Sequence, residues 1–597
     1  MSADPMSAGA RPAAGREWWR SAVVYQIYPR SFADSDGDGL GDLGGIRRRL
    51  DHLAELGVDV LWLSPIYPSP HDDNGYDIAD YTGIDPVYGT LADFDALLAA
   101  AHERGMRLVM DLVVNHTSDE HPWFVESRSG PDSPKRDWYW WRPPRPGAEP
   151  GRPGAEPTNW ESFFSGSAWE HDAASGEYYL HLFSRKQPDL NWENPEVRAA
   201  VHDVMRWWLD RGVDGFRMDV INLISKAVAE DGSLPDGPLK PGRPYGDGSA
   251  HYVCGPRIHE FLQEMHREVF AARPGTFLTV GEMPGVTLDD AVLFTDPARR
   301  EVDMVFQFEH VQLDQGVHKW ERVPLDLRAL KQSLGRWQEG LAEVGWNSLY
   351  WNNHDQPRAV SRFGCDEPAH RERSAKLLGT VLHLHRGTPY VYQGEELGMT
   401  NAEFATIADF RDIESLNHYA HEVAAGAEPE DVLAALRPAS RDNARTPVQW
   451  DASAHAGFTT GEPWMPVNPN HTGINAEAQW ADPGSVLHHY RRLIELRHTE
   501  PAVVHGDFTM LLPDDPTVYA FTRRHAPDDG GTAVELLVLA NFSSEPARVE
   551  LPGLAGWAGA ELLLGNLREQ VADPADPVLQ PWEARVLRRS APLPAQR

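Results

Sequence analysis

Apolar, β-branched runs alternate with stretches of helical spacing along most of the chain. Residues 22–28 (AVVYQIY) read as a first strand and residues 58–63 (VDVLWL) as a second. Between them, apolar residues recur at helical intervals over 46–56, and Gly57 closes the segment. A third strand is expected over 107–114, after the helical stretch 92–104 and Gly105. Further strand candidates are 215–220, 277–282, 303–307, 347–352 and 388–392, with amphipathic segments between most of them. Eight such strands with intervening helices predict an α/β fold, a closed (β/α)₈ TIM barrel whose chemistry sits at the C-terminal ends of the strands.

Two stretches break the even spacing. Residues 117–190 are rich in Pro, Gly and Trp and carry the near-repeat RPGAEP twice, at 145–150 and 152–157. An excursion of that length after the third strand predicts a small inserted domain, and the repeat itself reads as a flexible surface loop. From residue 508 the texture changes to short β segments at 517–522, 535–540 and 584–587, with a turn cluster at 527–531. That pattern predicts a C-terminal antiparallel β-sandwich of structural role. The expected organisation is therefore a disordered tail over 1–16, a barrel from 17–116 and 191–507, an inserted domain over 117–190 and a β domain over 508–597.

Composition narrows the function. With 41% hydrophobic and 24% charged residues, the 597-residue chain has an ordinary globular balance. A net charge of −34 excludes nucleic acid as a partner and reads as a solvated acidic surface. The 21 Trp and 17 Tyr supply flat faces suited to sugars, although most are expected to pack the core. The start of the chain has no apolar run of a signal peptide, and no segment is apolar enough to span a membrane. Two cysteines, Cys254 and Cys365, suggest free thiols and a cytoplasmic location. Oligomeric state leaves no mark in the sequence.

Hydrolysis of a glycoside by double displacement needs an ionised carboxylate beneath the anomeric carbon and a protonated carboxyl beside the leaving oxygen. Candidate groups end four strands: Asp111 and His116 in DLVVNH, Arg217 and Asp219 in GFRMD, Glu282 in VGE, and His354 and Asp355 in NNHDQ. Arg217 and Asp219 are two apart on a strand and so face the same side. An Arg there would keep the carboxylate ionised. Taken alone, that pair reads equally as a structural ion pair, and Glu282 as a neighbour of a helix cap. The full set, at corresponding strand ends, points to catalysis. Separately, the loop DSDGDGLGD places Asp34, Asp36, Asp38, the Leu40 carbonyl and Asp42 at the spacing of oxygen ligands for a structural Ca²⁺ ion. It starts like an EF-hand loop, but position twelve is Gly45 rather than Glu.

DLVVNHTS, GFRMDVIN, GEMPG and NNHDQPR resemble, in order and spacing, four signature regions of the α-amylase superfamily of glycoside hydrolases. The segments QPDLN (187–191) and RDNARTP (441–447) are similar to the oligo-1,6-glucosidase and α-glucosidase branch. The resemblance implies that Asp219 is the nucleophile, Glu282 the acid/base and Asp355 the transition-state stabiliser. It implies that Arg217, His116 and His354 contact sugar hydroxyls, and that Phe183 and Gln187 wall the pocket. Asp77 and Arg445 are expected to grip the far end of a terminal glucose, making the enzyme exo-acting on short oligosaccharides. Tyr76 is expected to pack the core. Val220, after the nucleophile, implies a preference for α-1,6 links; its alternative role is to pack the fourth barrel strand. Rival activities are an α-1,4-preferring glucosidase, a trehalose-6-phosphate hydrolase, a sucrose isomerase or a transglucosidase. A sucrose isomerase is disfavoured because residues 361–368 hold one Arg where those enzymes carry an arginine-rich loop. A non-catalytic scaffold conflicts with the complete carboxylate set.

Overall fold

The computed structural model describes residues 17–239, 244–527, 531–569, 573 and 575–591, so the tail expected over 1–16 lies outside the described residues. Three strands, β1 (Val24–Ile27), β2 (Val60–Leu63) and β3 (Arg107–Val113), pair in parallel, with Val24 opposite Val60 and Val60 opposite Arg107. Every residue in them except Arg107 is buried, as parallel strands enclosed on both faces must be. The single helix expected between β1 and β2 is two, Leu43–Arg48 and Leu50–Leu56. The break falls at Arg49 (φ −101°, ψ 5°), whose guanidinium stacks 4.2 Å above Trp450. Gly57, with φ 98°, ends the second helix as expected.

After β3 the chain builds a three-stranded antiparallel sheet from β4 (Trp141–Arg142), β5 (Trp169–Asp172) and β6 (Glu177–Leu180), in the order β4-β6-β5. Its aromatic core includes Trp140, Trp160, Trp169 and Tyr178. The barrel resumes with β7 (Gly215–Asp219), β8 (Leu278–Glu282), β9 (Met304–Phe306), β10 (Ser348–Leu349) and β11 (Thr388–Tyr392). The sheet order is β10-β11-β1-β2-β3-β7-β8-β9, and a parallel bridge from Val305 to Asn347 closes the cylinder. This is the (β/α)₈ barrel the patterning predicts. The seventh barrel strand, β10, is much shorter than 347–352 because the next residues leave the ladder. Tyr350 Oη instead donates to the Gln307 carbonyl at 2.7 Å, and Trp351 Nε1 to the Leu378 carbonyl at 2.8 Å.

At the opposite end of the barrel, three aspartates lock adjacent strands together. Asp59, Asp214 and Asp303 immediately precede β2, β7 and β9, and each accepts a backbone N–H from the neighbouring strand's start, at Val23, Leu108 and Thr279, all at 2.8 Å. The sheet is tightest where β7 begins. Gly215 has φ 150°, and a Cβ there would sit 2.0 Å from the Leu278 carbonyl oxygen.

Following β11, the chain makes a long excursion through the helices Ile413–Ala424 and Pro429–Ala439 and the turn Asp442–Arg445. These pack on their own apolar cluster, with Phe404, Phe410, Leu436 and Trp320. Beyond them a five-stranded antiparallel sheet has the order β12-β13-β14-β18-β16: β12 (Asp507–Leu511), β13 (Val518–His525), β14 (Ala533–Asn541), β16 (Glu561–Gly565) and β18 (Ala584–Ala591). Tyr519, Phe521, Leu536 and Val538 on one face join the barrel's core. Val518, Ala520, Leu537 and Leu539 on the other pack with Leu579, from the two-stranded sheet of β15 (Ala547–Arg548) and β17 (Val578–Leu579).

Gly215→Ala tests how tightly β7 is held. The added methyl cannot fit without moving β7 from β8, so we expect at least ~1 kcal/mol of lost stability, seen as a lower melting temperature, together with lost turnover. An unchanged melting temperature would contradict the close approach.

Candidate active site

The side chains with catalytic chemistry meet at the C-terminal ends of β3, β7 and β8 because the parallel register aligns them. Asp111 lies opposite Arg217, and Arg217 opposite Val280, two residues before Glu282. Arg217 is the hub. Its Nη1 lies 2.7 Å from Asp111 Oδ1 and 2.7 Å from Asp219 Oδ1, and its Nη2 lies 2.7 Å from Glu282 Oε2. The guanidinium stacks above Trp62, 5.1 Å from its ring centre. Asp111 is further saturated by Trp62 Nε1 at 3.1 Å and Tyr76 Oη at 3.0 Å. It therefore orients Arg217, leaving the other two carboxyls at the open side.

One cation cannot neutralise three buried carboxylates, so protons stay on. Burial pushes the carboxyls up while Arg217 pulls them back: Asp111 to about 6, Asp219 to about 7 and Glu282 to about 8. Burial raises Glu282 most, and repulsion from Asp219 and Asp355 adds to it.

Asp355 has separate partners. Burial alone would raise its pKa, but the neighbouring His354 N–H and the guanidinium groups of Arg441, Arg445 and Arg217 hold it well below the usual carboxylate range. Arg445 Nη2 reaches it at 2.8 Å and Arg441 Nη1 at 3.2 Å. Burial keeps His354 neutral, with its pKa lowered to about 3. Gln26 Nε2 lies 2.8 Å from His354 Nδ1, which makes Nδ1 the acceptor and leaves the proton on Nε2, 3.3 Å from Asp355 Oδ2. The ring is fixed by parallel stacking on Tyr76, with centroids 5.0 Å apart. Tyr76 thus supports two site residues, rather than only packing the core.

His116 is also neutral, lowered to about 4 by burial, and sits 3.2 Å from the Tyr76 carbonyl. Phe183 stands against it, ring centres 5.2 Å apart, and Gln187 Nε2 reaches Asp73 Oδ2 at 3.1 Å. Asp77 and Arg445, expected to grip the same glucose, have different protein partners. Asp77 is fully buried within its own loop, accepting Ser69 Oγ at 3.0 Å and the backbone N–H groups of Asp72 and Asp73 at 2.8 and 3.1 Å. Arg445 turns to Asp355 instead. The carboxylate that faces this wall is Asp73, bound to Gln187 and, at 3.1 Å, to Arg441 Nη2.

Arg441 and Asp73 escaped the sequence reading, although Arg441 opens the RDNARTP segment and Asp73 lies four residues before Asp77. Arg441 precedes Arg445 by one helical turn. Nothing in the sequence signals Asp412, which grips Arg441 from the excursion after β11 at 2.5 Å. Lys226 also escaped. Fully buried, its ammonium lies 2.7 Å from Asp189 and 3.1 Å from Asn115 Oδ1, tying the loop after β7 to the end of the inserted segment.

Val220 is expected at a strand end, but β7 stops at Asp219 and Val220 turns left-handed, φ 36° and ψ 39°. A β-branched residue is strained there. The turn aims its N–H at Glu282 Oε2, 3.1 Å away, and sends its side chain into the cluster containing Tyr252, Leu223 and Phe183.

In the loop after β1, carboxylate oxygens of Asp34, Asp36 and Asp42 lie within 4.8 Å of one another. Asp38, expected in the same set, is not in that group; its carboxylate accepts the Leu40 N–H at 2.8 Å. Gly39 (φ 93°) is required, since a Cβ would lie 1.9 Å from the Glu462 carbonyl oxygen.

The family description "Alpha amylase, catalytic domain" matches residues 26–506. The chain belongs to the α-amylase family. It is a glycoside hydrolase of that family, and its barrel ends in the carboxylate cluster described above. The chain is similar to an oligo-1,6-glucosidase of Parageobacillus thermoglucosidasius, 55% identical over 97% of this chain and 100% of the relative. An oligo-1,6-glucosidase of Halalkalibacterium halodurans is 54% identical over 96% and 98%. Among solved structures, a trehalose-6-phosphate hydrolase of Bacillus licheniformis superposes with a TM-score of 0.87 at 46% identity, over 96% of this chain and 100% of that one. No helix among the described residues is long and apolar enough to cross a membrane.

The protonation of Glu282 has a stability consequence. A carboxyl raised from 4.5 to about 8 favours the fold fully below its unfolded value, and that contribution is lost as pH rises through about 8. Glu282→Gln removes the titration, so its stability should match wild type near pH ~4 and exceed it increasingly toward pH ~8, on the scale of ~1.4 kcal/mol per unit, read as a widening gap in melting temperature. A gap independent of pH would contradict the raised pKa.

Proposed function

We propose that the protein is a retaining, exo-acting α-glucosidase that releases glucose from the non-reducing ends of short α-glucosides and prefers α-1,6 links. The carrying observation is the guanidinium shared by Asp219 and Glu282 at 2.7 Å each, with the proton resting on Glu282. Two carboxyls gripping one guanidinium suit the ~5–5.5 Å spacing of retaining enzymes. In this reading Asp219 attacks the anomeric carbon as Glu282 passes its proton to the departing oxygen. The resulting glucosyl ester is then opened by water, which gives its proton to Glu282. Asp355, His354, His116 and Arg217 hold the hydroxyls of the attacked ring. In this reading Asp77 and Arg445, with Asp73, Gln187 and Arg441 beside them, close the pocket beyond one glucose, which gives exo action. The names of the two bacterial relatives support the α-1,6 assignment. Both cysteines are free thiols, which supports a reducing, cytoplasmic compartment.

A Ca²⁺ ion is proposed in the loop after β1. Oxygens within 4.8 Å of one another can share an ion at ~2.3–2.6 Å each. Asp34, Asp36 and Asp42 would hold it, and the ion would brace this loop against residues 458–464. The Asp34 N–H already donates to the Phe458 carbonyl at 2.9 Å, and the Trp464 N–H to the Gly39 carbonyl at 3.1 Å.

Three measurements test this reading. NMR of the first product should show α-glucose; β-glucose would exclude the double displacement. Chelation should lower the melting temperature more than turnover, and elemental analysis should find about one calcium per chain; absence of metal would refute the site. For linkage, wild type should favour isomaltose over maltose in kcat/KM. Val220→Ala and Val220→Thr should move that ratio toward maltose, a change worth ~1–3 kcal/mol. A wild type that prefers maltose, or variants that scale both substrates equally, would overturn the assignment.

A further inference from the structure

We propose that Phe163 is a stacking platform for the third glucosyl unit of longer substrates, two sugars beyond the one attacked; this rests on the exo-α-glucosidase reading above. The chain has 20 Phe, 21 Trp and 17 Tyr, and among the described residues Phe163 alone of these is exposed, at 43%. Its place explains the exposure. Ser162, Phe163, Phe164 and Ser165 form a tight turn, with Ser165 at φ 72° and the Ser162 N–H donating to the Gly166 carbonyl at 2.9 Å. The turn sends Phe164 inward beneath Arg441, whose guanidinium lies 5.0 Å from the ring, and leaves Phe163 facing out. The Phe163 N–H donates to the Leu182 carbonyl at 2.8 Å, which fixes the ring beside Phe183.

The two rings stack nearly parallel, 5.0 Å apart at 17°. Phe183 in turn stands 5.2 Å from His116, inside the pocket. An aromatic ladder therefore runs outward from the attacked sugar: His116, Phe183, Phe163. Tyr252 flanks its outer end, 6.1 Å from Phe163. The direction is that of the leaving group. Phe183 and Tyr252 share an apolar cluster with Val220, and Val220 donates its N–H to Glu282, the group beside the leaving oxygen. A fixed, flat, solvent-facing ring at that position offers its face to the C–H side of a pyranose, while its edges leave the hydroxyls in water. On this proposal isomaltose, with two rings, stops short of Phe163, and isomaltotriose reaches it.

The test compares isomaltose and isomaltotriose with wild type, Phe163→Ala and Phe163→Tyr. We expect Phe163→Ala to lower kcat/KM for isomaltotriose about 5- to 10-fold, through KM, on the scale of one aromatic contact. Isomaltose should change less than about 2-fold, and Phe163→Tyr should restore the trisaccharide. Equal losses on both substrates, or no loss on either, would overturn the platform. A wild type that cleaves neither substrate would overturn the functional reading itself, which is a separate outcome.

Discussion

A single guanidinium, that of Arg217, is asked to serve three buried carboxyls, and the rest of the site depends on that shortage of positive charge. Asp111 takes one share and is held by Trp62 and Tyr76 so that it cannot turn away. Asp219 and Glu282 divide the remainder, and the excess negative charge is relieved by a proton on Glu282, raised to about 8. Asp355 escapes the competition because Arg441 and Arg445 supply it from the other wall. Asp355 thus stays ionised while Glu282 tends to keep a proton, the kind of contrast that lets neighbouring carboxyls play different roles at one pH. A buried ion cluster of this kind adds little to stability. Its value lies in the protonation it enforces.

The scaffold accommodates that cluster by separating rigidity from strain. The opposite end of the barrel carries satisfied contacts: Asp59, Asp214 and Asp303 each complete a neighbouring strand's backbone hydrogen bonding. The catalytic end carries the costs. Val220 is held left-handed, and Lys226 and Arg441 are buried with acidic partners drawn from distant segments. The inserted segment contributes Phe183 and Gln187, and the excursion after β11 contributes Arg441 and Arg445. The pocket is therefore complete only when both are folded onto the barrel.

The barrel was legible because its strands are short, apolar and almost wholly buried, and because glycines such as Gly57 end helices where the pattern stops. Residues on strands were legible for the same reason: Arg217 and Asp219 must share a face, whatever the remainder of the chain does. Residues on loops were not. Asp72, Asp73 and Asp77 lie within six positions, and only the folded loop decides that Asp73 meets Gln187 and Arg441. The left-handed turn at Val220 left no trace, since Val is the residue least suited to it. Asp412 and the excursion that carries it depend on tertiary packing with Arg441, and no local signal marks such a partner. The grouping of Asp34, Asp36 and Asp42 without Asp38 likewise follows from the path of the loop rather than from its spacing.

The account stands on where one proton resides. Infrared difference spectroscopy of the substrate-free enzyme between pH ~6 and ~9 should resolve a carboxyl component that titrates near pH ~8, above those of Asp219 and Asp111, and Glu282→Gln should remove that highest component. A wild type with no carboxyl component near pH ~8, or one that persists unchanged in Glu282→Gln, would place the proton elsewhere and contradict the division of roles set by Arg217.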